Sequence, residues 1–174
     1  TREIAWFTLW QATVSTVLTL LAGLPLAWAL SRFSFRGRSL VEALVLVPFV
    51  LPTVVVATAF VALLPDGIEH TVWAILFAHV FFNVAVVVRI VGAYWGALDA
   101  RLWDAAATLG AGPAQRQLRL TLPLLAPALA SAASIAFLFC FTSFGVILVL
   151  GGIRYATLET EIYNQAARLF DLRT

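Results

Sequence analysis

The chain has 174 residues, of which 62% are hydrophobic and 11% are charged, and its net charge is +2. A soluble domain carries about 25% charged residues, so a soluble fold of this length could not cover so much apolar surface. All eleven basic residues are arginine, and the absence of lysine excludes a nucleotide-binding loop of the GxxxxGKS or GxxxxGKT type, whose lysine contacts the phosphates.

Four long intervals without a charged residue follow one another along the chain. About 20 apolar residues cross a bilayer as a helix, so each interval predicts a transmembrane helix, and the first is too long for the apolar core of a signal peptide. Fully buried helices of a soluble core are the alternative, which four such segments in so short a chain disfavour. The predicted spans are residues 5–30, 43–64, 72–91 and 122–149.

These spans predict an all-α fold, a polytopic membrane helix bundle with at least four transmembrane helices, forming a single domain over residues 1–174. Pro48 and Pro52 lie inside the second span, and Pro123 and Pro127 lie at the start of the fourth. Bundled membrane helices tolerate proline because neighbouring groups satisfy the freed backbone. The sequence contains no methionine, even at position 1, which predicts that it is a segment of a longer polypeptide.

The arginines indicate which side of the membrane each loop faces. Three arginines lie in residues 31–42, after the first span, and three more lie in residues 99–121, after the third, whereas residues 65–70 contain none. Cytoplasmic loops carry the excess of arginine. Because two spans separate the two basic loops, both are predicted to face the cytoplasm.

Beyond the fourth span, residues 155–170 return to helical periodicity. Leu158, Ile162 and Ala166 recur on one face, and Glu159 and Glu161 lie in the first turn, where negative charge favours the helix dipole. The pattern predicts a short amphipathic helix on the outer face of the membrane.

The basic loop 99–121 predicts a first short helix. Asp99 can accept hydrogen bonds from the free amides of its first turn, and Gly110 can end it in the left-handed conformation. The side with Leu102, Ala106 and Leu109 is predicted to pack on the bundle, and the opposite side to face water.

A second short helix is predicted to begin at Pro113, a favoured first helical residue, and to end where Pro123 turns the chain back into the membrane. The loop is thus predicted to form a rigid two-helix projection on the cytoplasmic side. The alternative is a solvated connector whose arginines only set the topology.

The spacing of this loop resembles the cytoplasmic signature of permease subunits of bacterial ABC importers that work with a binding protein. That signature reads Glu-Ala-Ala, three residues, Gly, nine residues, then Ile-x-Leu-Pro; here Asp replaces Glu and Leu replaces Ile. The matching positions are Asp104, Ala105, Ala106, Gly110, Leu120, Leu122 and Pro123. GLPLAWALSRFSFRGR and LVPFVLPTVVVATAF are similar to the first two core helices of these permeases. AHVFFNVAVVVR, FLFCFTSFGVILVLGG and TLETEIYNQA look most like permeases for thiamine or ferric iron.

The resemblance implies the MetI-like fold of type I importers and a loop that docks in a groove of a separate ATPase subunit. Asp104 would contact the ATPase, Ala105 and Ala106 would pack closely, Gly110 would set the angle between the short helices, and Pro123 would fix the join to the fourth span. The chain itself would then hold no cofactor and catalyse no reaction, since ATP and Mg²⁺ would be bound by the partner.

The resemblance further implies a multi-pass protein of the bacterial inner membrane that imports a solute, such as thiamine or ferric iron, by alternating access. Its implied partners are the ATPase subunits, an extracytoplasmic solute-binding protein, the lipid bilayer, and a second permease half that is either fused in tandem or a second copy. A passive channel or a transporter bundle outside the ABC class is the alternative function.

Polar residues inside the spans are candidates for the translocation path, because an ionisable residue in a membrane span is by default a hypothesis of function. His79 and Asn83 lie one turn apart on one face of the third span, and Thr142 and Ser143 lie in the fourth. The alternative role is hydrogen bonding between helices, which contributes about 0.6 kcal/mol in membranes.

Three further classes of function find little support. Ser143 and His79 could nominally serve an intramembrane serine protease, but TSFG is not the expected GxS context. His70 and His79 are not spaced with carboxylates or thiols as metal ligands would be, so no metal site is expected. Nucleic-acid binding is not expected either, because the arginines follow the membrane topology instead of forming a patch.

Overall fold

The computed structural model describes residues 2–65, 67–152 and 154–170, with the side chains of 168–170 left out of the description. These residues form helices and contain no strand. One π-helical turn, Gln117–Thr121, joins two of these helices. The helices are α1 (Arg2–Arg32), α2 (Arg38–Val50), α3 (Thr53–Leu63), α4 (Val72–Gly96), α5 (Ala100–Thr108), α6 (Pro113–Arg116), α7 (Leu122–Phe141), α8 (Phe144–Leu150) and α9 (Leu158–Phe170).

Three helical runs in the described residues are long and apolar enough to cross a membrane: α1, α4 and the continuous run Pro113–Phe141. The second predicted span is not one straight helix, because α2 and α3 meet at 104° and qualify as a span only together. The break falls at Leu51, whose extended backbone (φ −74°, ψ 144°) precedes Pro52. Proline disfavours the helical conformation in the residue before it, which explains the break.

The fourth predicted span also differs from the structure at both ends. Its helix begins in the loop, at Pro113, and ends at Phe141, so that α8 is a separate short helix. At the break, both the backbone N–H and the hydroxyl of Thr142 donate to the carbonyl of Leu138, at 2.9 Å each. The hydroxyl bond competes with continued helix formation.

The helix α4 occupies the centre of the bundle and packs against α1, α2, α3, α7 and α8. One buried cluster joins α1, α4 and α7 around Ala27, Val87 and Leu125, and another joins α3, α4 and α8 around Ala57, Ile75 and Ile147. Small residues allow this close approach, as is usual in membranes. Gly23, for example, leaves no room for a Cβ beside Val87.

The two basic loops lie at the same end of the bundle, as predicted, since the Arg32 guanidinium at the end of α1 lies 5.0 Å from the ring centroid of Trp103 in α5. At the opposite end, the N–H of Leu158, the first residue of α9, donates to Oγ1 of Thr8 at 3.2 Å. Residues 158–170 therefore form the expected helix at the end away from the basic loops, with Ile162 67% exposed.

The contact between α3 and α8 predicts a stability effect at Gly145. A Cβ at this buried glycine would overlap the Thr53 hydroxyl, so Gly145→Ala should lower the unfolding temperature in detergent, by a destabilisation of about 1–3 kcal/mol typical of overpacking. Thr53→Ala in the same chain should restore part of the loss. Gly96→Ala, whose Cβ would meet no atom within 4 Å, is the control and should change little.

Candidate functional site

The first short helix of the basic loop begins and ends as its sequence predicts. Oδ1 of Asp99 accepts a hydrogen bond from the backbone N–H of Arg101 at 2.9 Å. At the other end, Gly110 adopts φ +81°, and its N–H donates to the carbonyl of Ala107 at 2.9 Å, while Ala111 donates to Ala106 at 3.0 Å. This pair of bonds is the Schellman motif, which fixes the path of the chain after α5.

Trp103 holds the loop against the bundle. The guanidinium groups of Arg32 and Arg116 lie 5.0 and 5.2 Å from its ring centroid, within the range of cation–π attraction. Nη1 of Arg116 also donates to the carbonyl of Trp103 at 3.4 Å. One indole ring thereby connects the end of α1, the helix α5 and the helix α6. The role of Trp103 was not predicted from the sequence, although a tryptophan among arginines in a loop can indicate cation–π contacts.

The predicted packing of α5 on the bundle through Leu102 and Leu109 was wrong. Leu109 is 88% exposed and Leu102 is 44% exposed, and Leu118 beyond α6 is 63% exposed. Trp103 faces the bundle instead, because its large ring lies between the two guanidinium groups. The three leucines are therefore exposed apolar side chains of the loop.

The seven signature positions fall on two different parts of the loop. Asp104, Ala105 and Gly110 are exposed and Ala106 is partly buried, all on or just after α5. The other three positions, Leu120, Leu122 and Pro123, lie on the helical run that continues into the membrane.

The expected turn of the chain at Pro123 is absent. Pro123 lies inside the continuous helix, after a π-helical turn in which the N–H of Leu122 donates to the carbonyl of Gln117. Proline has no backbone N–H and cannot make the usual hydrogen bond of an α-helix. The wider π-helical turn lies directly before Pro123 and lets the helix continue through it. One helix therefore runs without a break from Pro113 in the loop to Phe141 at the end of α7.

All four residues predicted for the translocation path line one cavity of about 410 Å³. His79 and Asn83 reach it from α4, whereas Thr142 and Ser143 lie at the break between α7 and α8. The break between α2 and α3 borders the same cavity, so two interrupted helices face each other there. The other lining residues are Phe49, Leu51, Thr53, Val54, Phe82, Phe139, Phe144, Gly145 and Val146.

A buried polar junction lies beside this cavity, where α1, α4 and α7 meet. Nδ1 of His79 lies 3.0 Å from Oγ of Ser15, and Nδ2 of Asn83 donates to the carbonyl of His79 at 2.9 Å and to Sγ of Cys140 at 3.4 Å. Nε2 of Gln11 donates to the carbonyl of Cys140 at 2.9 Å. Hydrogen bonding between helices, the alternative role, therefore accounts for one nitrogen of His79.

The second ring nitrogen of His79 has no such partner. The side chain is only 1% exposed, and within the described residues its Nε2 makes no hydrogen bond. A buried polar atom without a partner is costly. His79 also lines the cavity, and its Nε2 is itself buried in this structure.

Gln11 and Ser15 were missed in the sequence, although Thr8, Gln11, Ser15 and Thr19 form a polar stripe at helical spacing on α1. All four are buried. Within the described residues, Ser143 and His79 share no hydrogen bond, and no group of three acidic, histidine or cysteine side chains is placed to hold a metal ion.

The described residues form a helical membrane bundle with a two-helix loop at one end and a cavity between interrupted helices. The chain belongs to the family of binding-protein-dependent transport system inner membrane components, whose model matches residues 19–169. This match includes the whole basic loop and the lining of the cavity. The protein is therefore a multi-pass membrane protein with the MetI-like helical fold.

Several curated relatives support this assignment. The thiamine transport system permease protein of Brucella abortus (strain 2308) is 33% identical over 97% of this chain and 34% of its own length. The sulfate transport system permease protein of Escherichia coli (strain K12) is 32% identical over 89% of this chain and 61% of its own length. The molybdenum transport system permease protein of Azotobacter vinelandii is 32% identical over 94% of this chain and 77% of its own length. All three are transport permeases, and the chain spans about a third of the length of the thiamine permeases.

Trp103 provides a first test of how the loop acts. Replacing it with alanine removes both cation–π contacts, each contributing about 0.5–1 kcal/mol at exposed sites, and should loosen the loop from α1. If the loop docks an ATPase of a binding-protein-dependent importer, Trp103→Ala should reduce ATP hydrolysis stimulated by the binding protein several-fold in the reconstituted system, with normal membrane insertion. Trp103→Phe retains an aromatic face and should keep most of the activity; equal activity in both variants and the wild type would contradict the role.

Proposed function

We propose that this chain is the membrane-spanning permease part of an ABC importer, which moves a solute delivered by a binding protein into the cytoplasm. The observation that carries the proposal is the continuous helix Pro113–Phe141. It begins in the exposed loop and ends at the break that lines the central cavity. A partner that moves the loop would thereby move one wall of the cavity.

The partner at the loop would be a separate ATPase subunit that binds ATP and Mg²⁺. The surface available to it combines the exposed charges of Arg101 and Asp104 with the small side chain of Ala105 and the exposed side chain of Leu109. A protein interface typically has an apolar centre and few charged groups. A second permease half, fused or separate, would complete the path opposite this chain.

The solute would pass through the cavity between the interrupted helices. His79 lies about 10 Å and Asn83 about 16 Å along α4 from its outer end, in a helix of 25 residues that is about 37 Å long. The cavity is therefore near the middle of the membrane, where transporters place their sites at broken helices. The helices α3 and α8 pack together through Gly145 and Thr53, so they would move as one unit when the path opens.

Thiamine is the solute that the lining favours. Four phenylalanines surround the polar groups of the cavity, and none of its described lining residues is charged. Aromatic faces attract a cationic ring, and His79 and Asn83 would bond its amino and ring nitrogens. Ferric iron requires hard oxygen ligands, and sulfate or molybdate would meet no arginine among the described lining residues. The likeness to thiamine permeases points in the same direction.

The decisive experiment uses the complete permease polypeptide with the ATPase and the binding protein encoded beside it. An ATPase should copurify with the permease, its ATP hydrolysis should rise when the loaded binding protein is added, and proteoliposomes should accumulate labelled thiamine only with ATP. Flux of thiamine without ATP would instead establish a passive channel. ATP-dependent uptake of another solute would preserve the importer and overturn the choice of thiamine.

A further inference from the structure

A second cavity, of about 430 Å³, lies at the end of the bundle that carries the basic loops, between α1, α2 and α4. It is separate from the central cavity and shares no lining residue with it. Its lining combines an apolar wall with a small polar group. The lining residues are Leu30, Ser31, Arg38, Glu42, Val45, Leu46, Ala85, Val88, Arg89, Gly92 and Ala93.

The polar part of this cavity carries an excess of positive charge. Nε of Arg38 forms an ion pair with Oε1 of Glu42 at 2.8 Å, which leaves the terminal nitrogens of that guanidinium outside the pair. Within the described part of the chain, Arg89 takes part in no ion pair. Two guanidinium groups therefore face one carboxylate, and a further anion would balance the site.

The depth of the cavity matches the cytoplasmic headgroup region. Ser31 is next to the last residue of α1, Arg38 is the first residue of α2, and Arg89 lies seven residues before the end of α4, which is about 10 Å along the axis. An arginine this close to a helix end extends toward the membrane interface, where anionic headgroups lie. The apolar wall, which includes Val45 and Val88, extends from the same site toward the membrane interior.

We propose that this cavity binds the phosphate headgroup of an anionic phospholipid from the cytoplasmic leaflet. Arginine binds phosphate oxygens in a forked geometry, and basic pockets between transmembrane helices on this side of the membrane are suited to anionic headgroups. The adjacent valines and leucines would contact the acyl chains. A free phosphate ion would satisfy the arginines but would leave this apolar wall unused.

The test measures the unfolding temperature of the complete permease polypeptide in detergent, with added phosphatidylglycerol or added phosphatidylcholine. Each variant is compared with itself in the two lipids, so a general loss of stability cancels. Phosphatidylglycerol should raise the unfolding temperature of the wild type, and Arg89→Gln should remove most of that rise. Native mass spectrometry should show at least about a fivefold loss of retained phosphatidylglycerol.

Arg36→Gln is the matched control, because Arg36 carries the same charge in the same basic loop and does not line the cavity. It should keep the phosphatidylglycerol effect, whereas Arg89→Lys, which retains charge without the fork, should keep part of it. An equal loss in Arg36→Gln, or no loss in Arg89→Gln, would overturn the proposal. Stabilisation by inorganic phosphate in phosphatidylcholine, equal to that by phosphatidylglycerol, would identify a soluble anion and also overturn it.

Discussion

Gly110→Trp should abolish ATP hydrolysis stimulated by the binding protein while the permease still inserts in the membrane. Gly110 has φ +81° and ends α5, and a side chain there has open space but a strained backbone. A non-glycine residue in this conformation costs about 1–2 kcal/mol. The indole would also add bulk at the end of α5, next to Leu109, so it would obstruct the surface proposed to dock the ATPase.

The matched control for Gly110 is Gly37, in the other basic loop. Gly37 has φ +94°, and a Cβ there would also meet no atom within 4 Å, so Gly37→Trp introduces the same strain and bulk outside the docking surface. It should retain stimulated hydrolysis. Gly110→Ala should show an intermediate loss from strain alone. Full coupled transport by Gly110→Trp, or an equal loss in Gly37→Trp, would refute the docking role.

Asp104→Arg tests the charge on the same surface. The exposed carboxylate of Asp104 is the only acidic group among the signature positions. Reversing the sign of this charge should repel any basic group of the partner. We expect a loss of at least about tenfold in copurified ATPase, since reversing a charge at an interface costs several kcal/mol. Asp104→Glu restores the usual signature residue and should bind the ATPase at least as well as the wild type.

The sequence predicted the helical class, the shared side of the basic loops and both ends of α5, because these depend on local rules. Charge-free intervals reveal apolar helices, and Asp99 and Gly110 act within a few residues of their positions. The exposure of Leu109 was not predictable in this way. It depends on Trp103, whose partners Arg32 and Arg116 come from two different helices.

The interruptions of the second and fourth spans also combine features that local sequence reveals with features that depend on packing between distant residues. Pro52 was visible, but a proline in a membrane helix is compatible with a mild kink as well as with a 104° bend. The bend brings α3 against α8, where the absence of a side chain at Gly145 leaves room for Thr53. This contact joins residues that are far apart in sequence. His79 and Asn83 were accessible as intramembrane polar residues, whereas their pairing with Ser15 and Cys140 required the packed bundle.

Transport should depend on Nε2 of His79, and two substitutions separate this atom from the other ring nitrogen. The amide of asparagine lies close to the position of Nδ1, so His79→Asn can keep the bond to Ser15 and lose the second ring nitrogen. Glutamine reaches the position of Nε2, so His79→Gln should do the reverse. The loss of one hydrogen bond weakens solute binding by about 0.5–1.5 kcal/mol, which lowers the affinity roughly two- to tenfold.

We therefore expect His79→Asn to raise the thiamine concentration required for half-maximal uptake, with an unfolding temperature near that of the wild type. His79→Gln and Ser15→Ala should lower the unfolding temperature, because each breaks the 3.0 Å contact between α1 and α4, and His79→Gln should retain more transport than His79→Asn. If His79 serves only to join the helices, the order reverses: His79→Asn transports normally, and only the variants that lose the Ser15 contact are impaired.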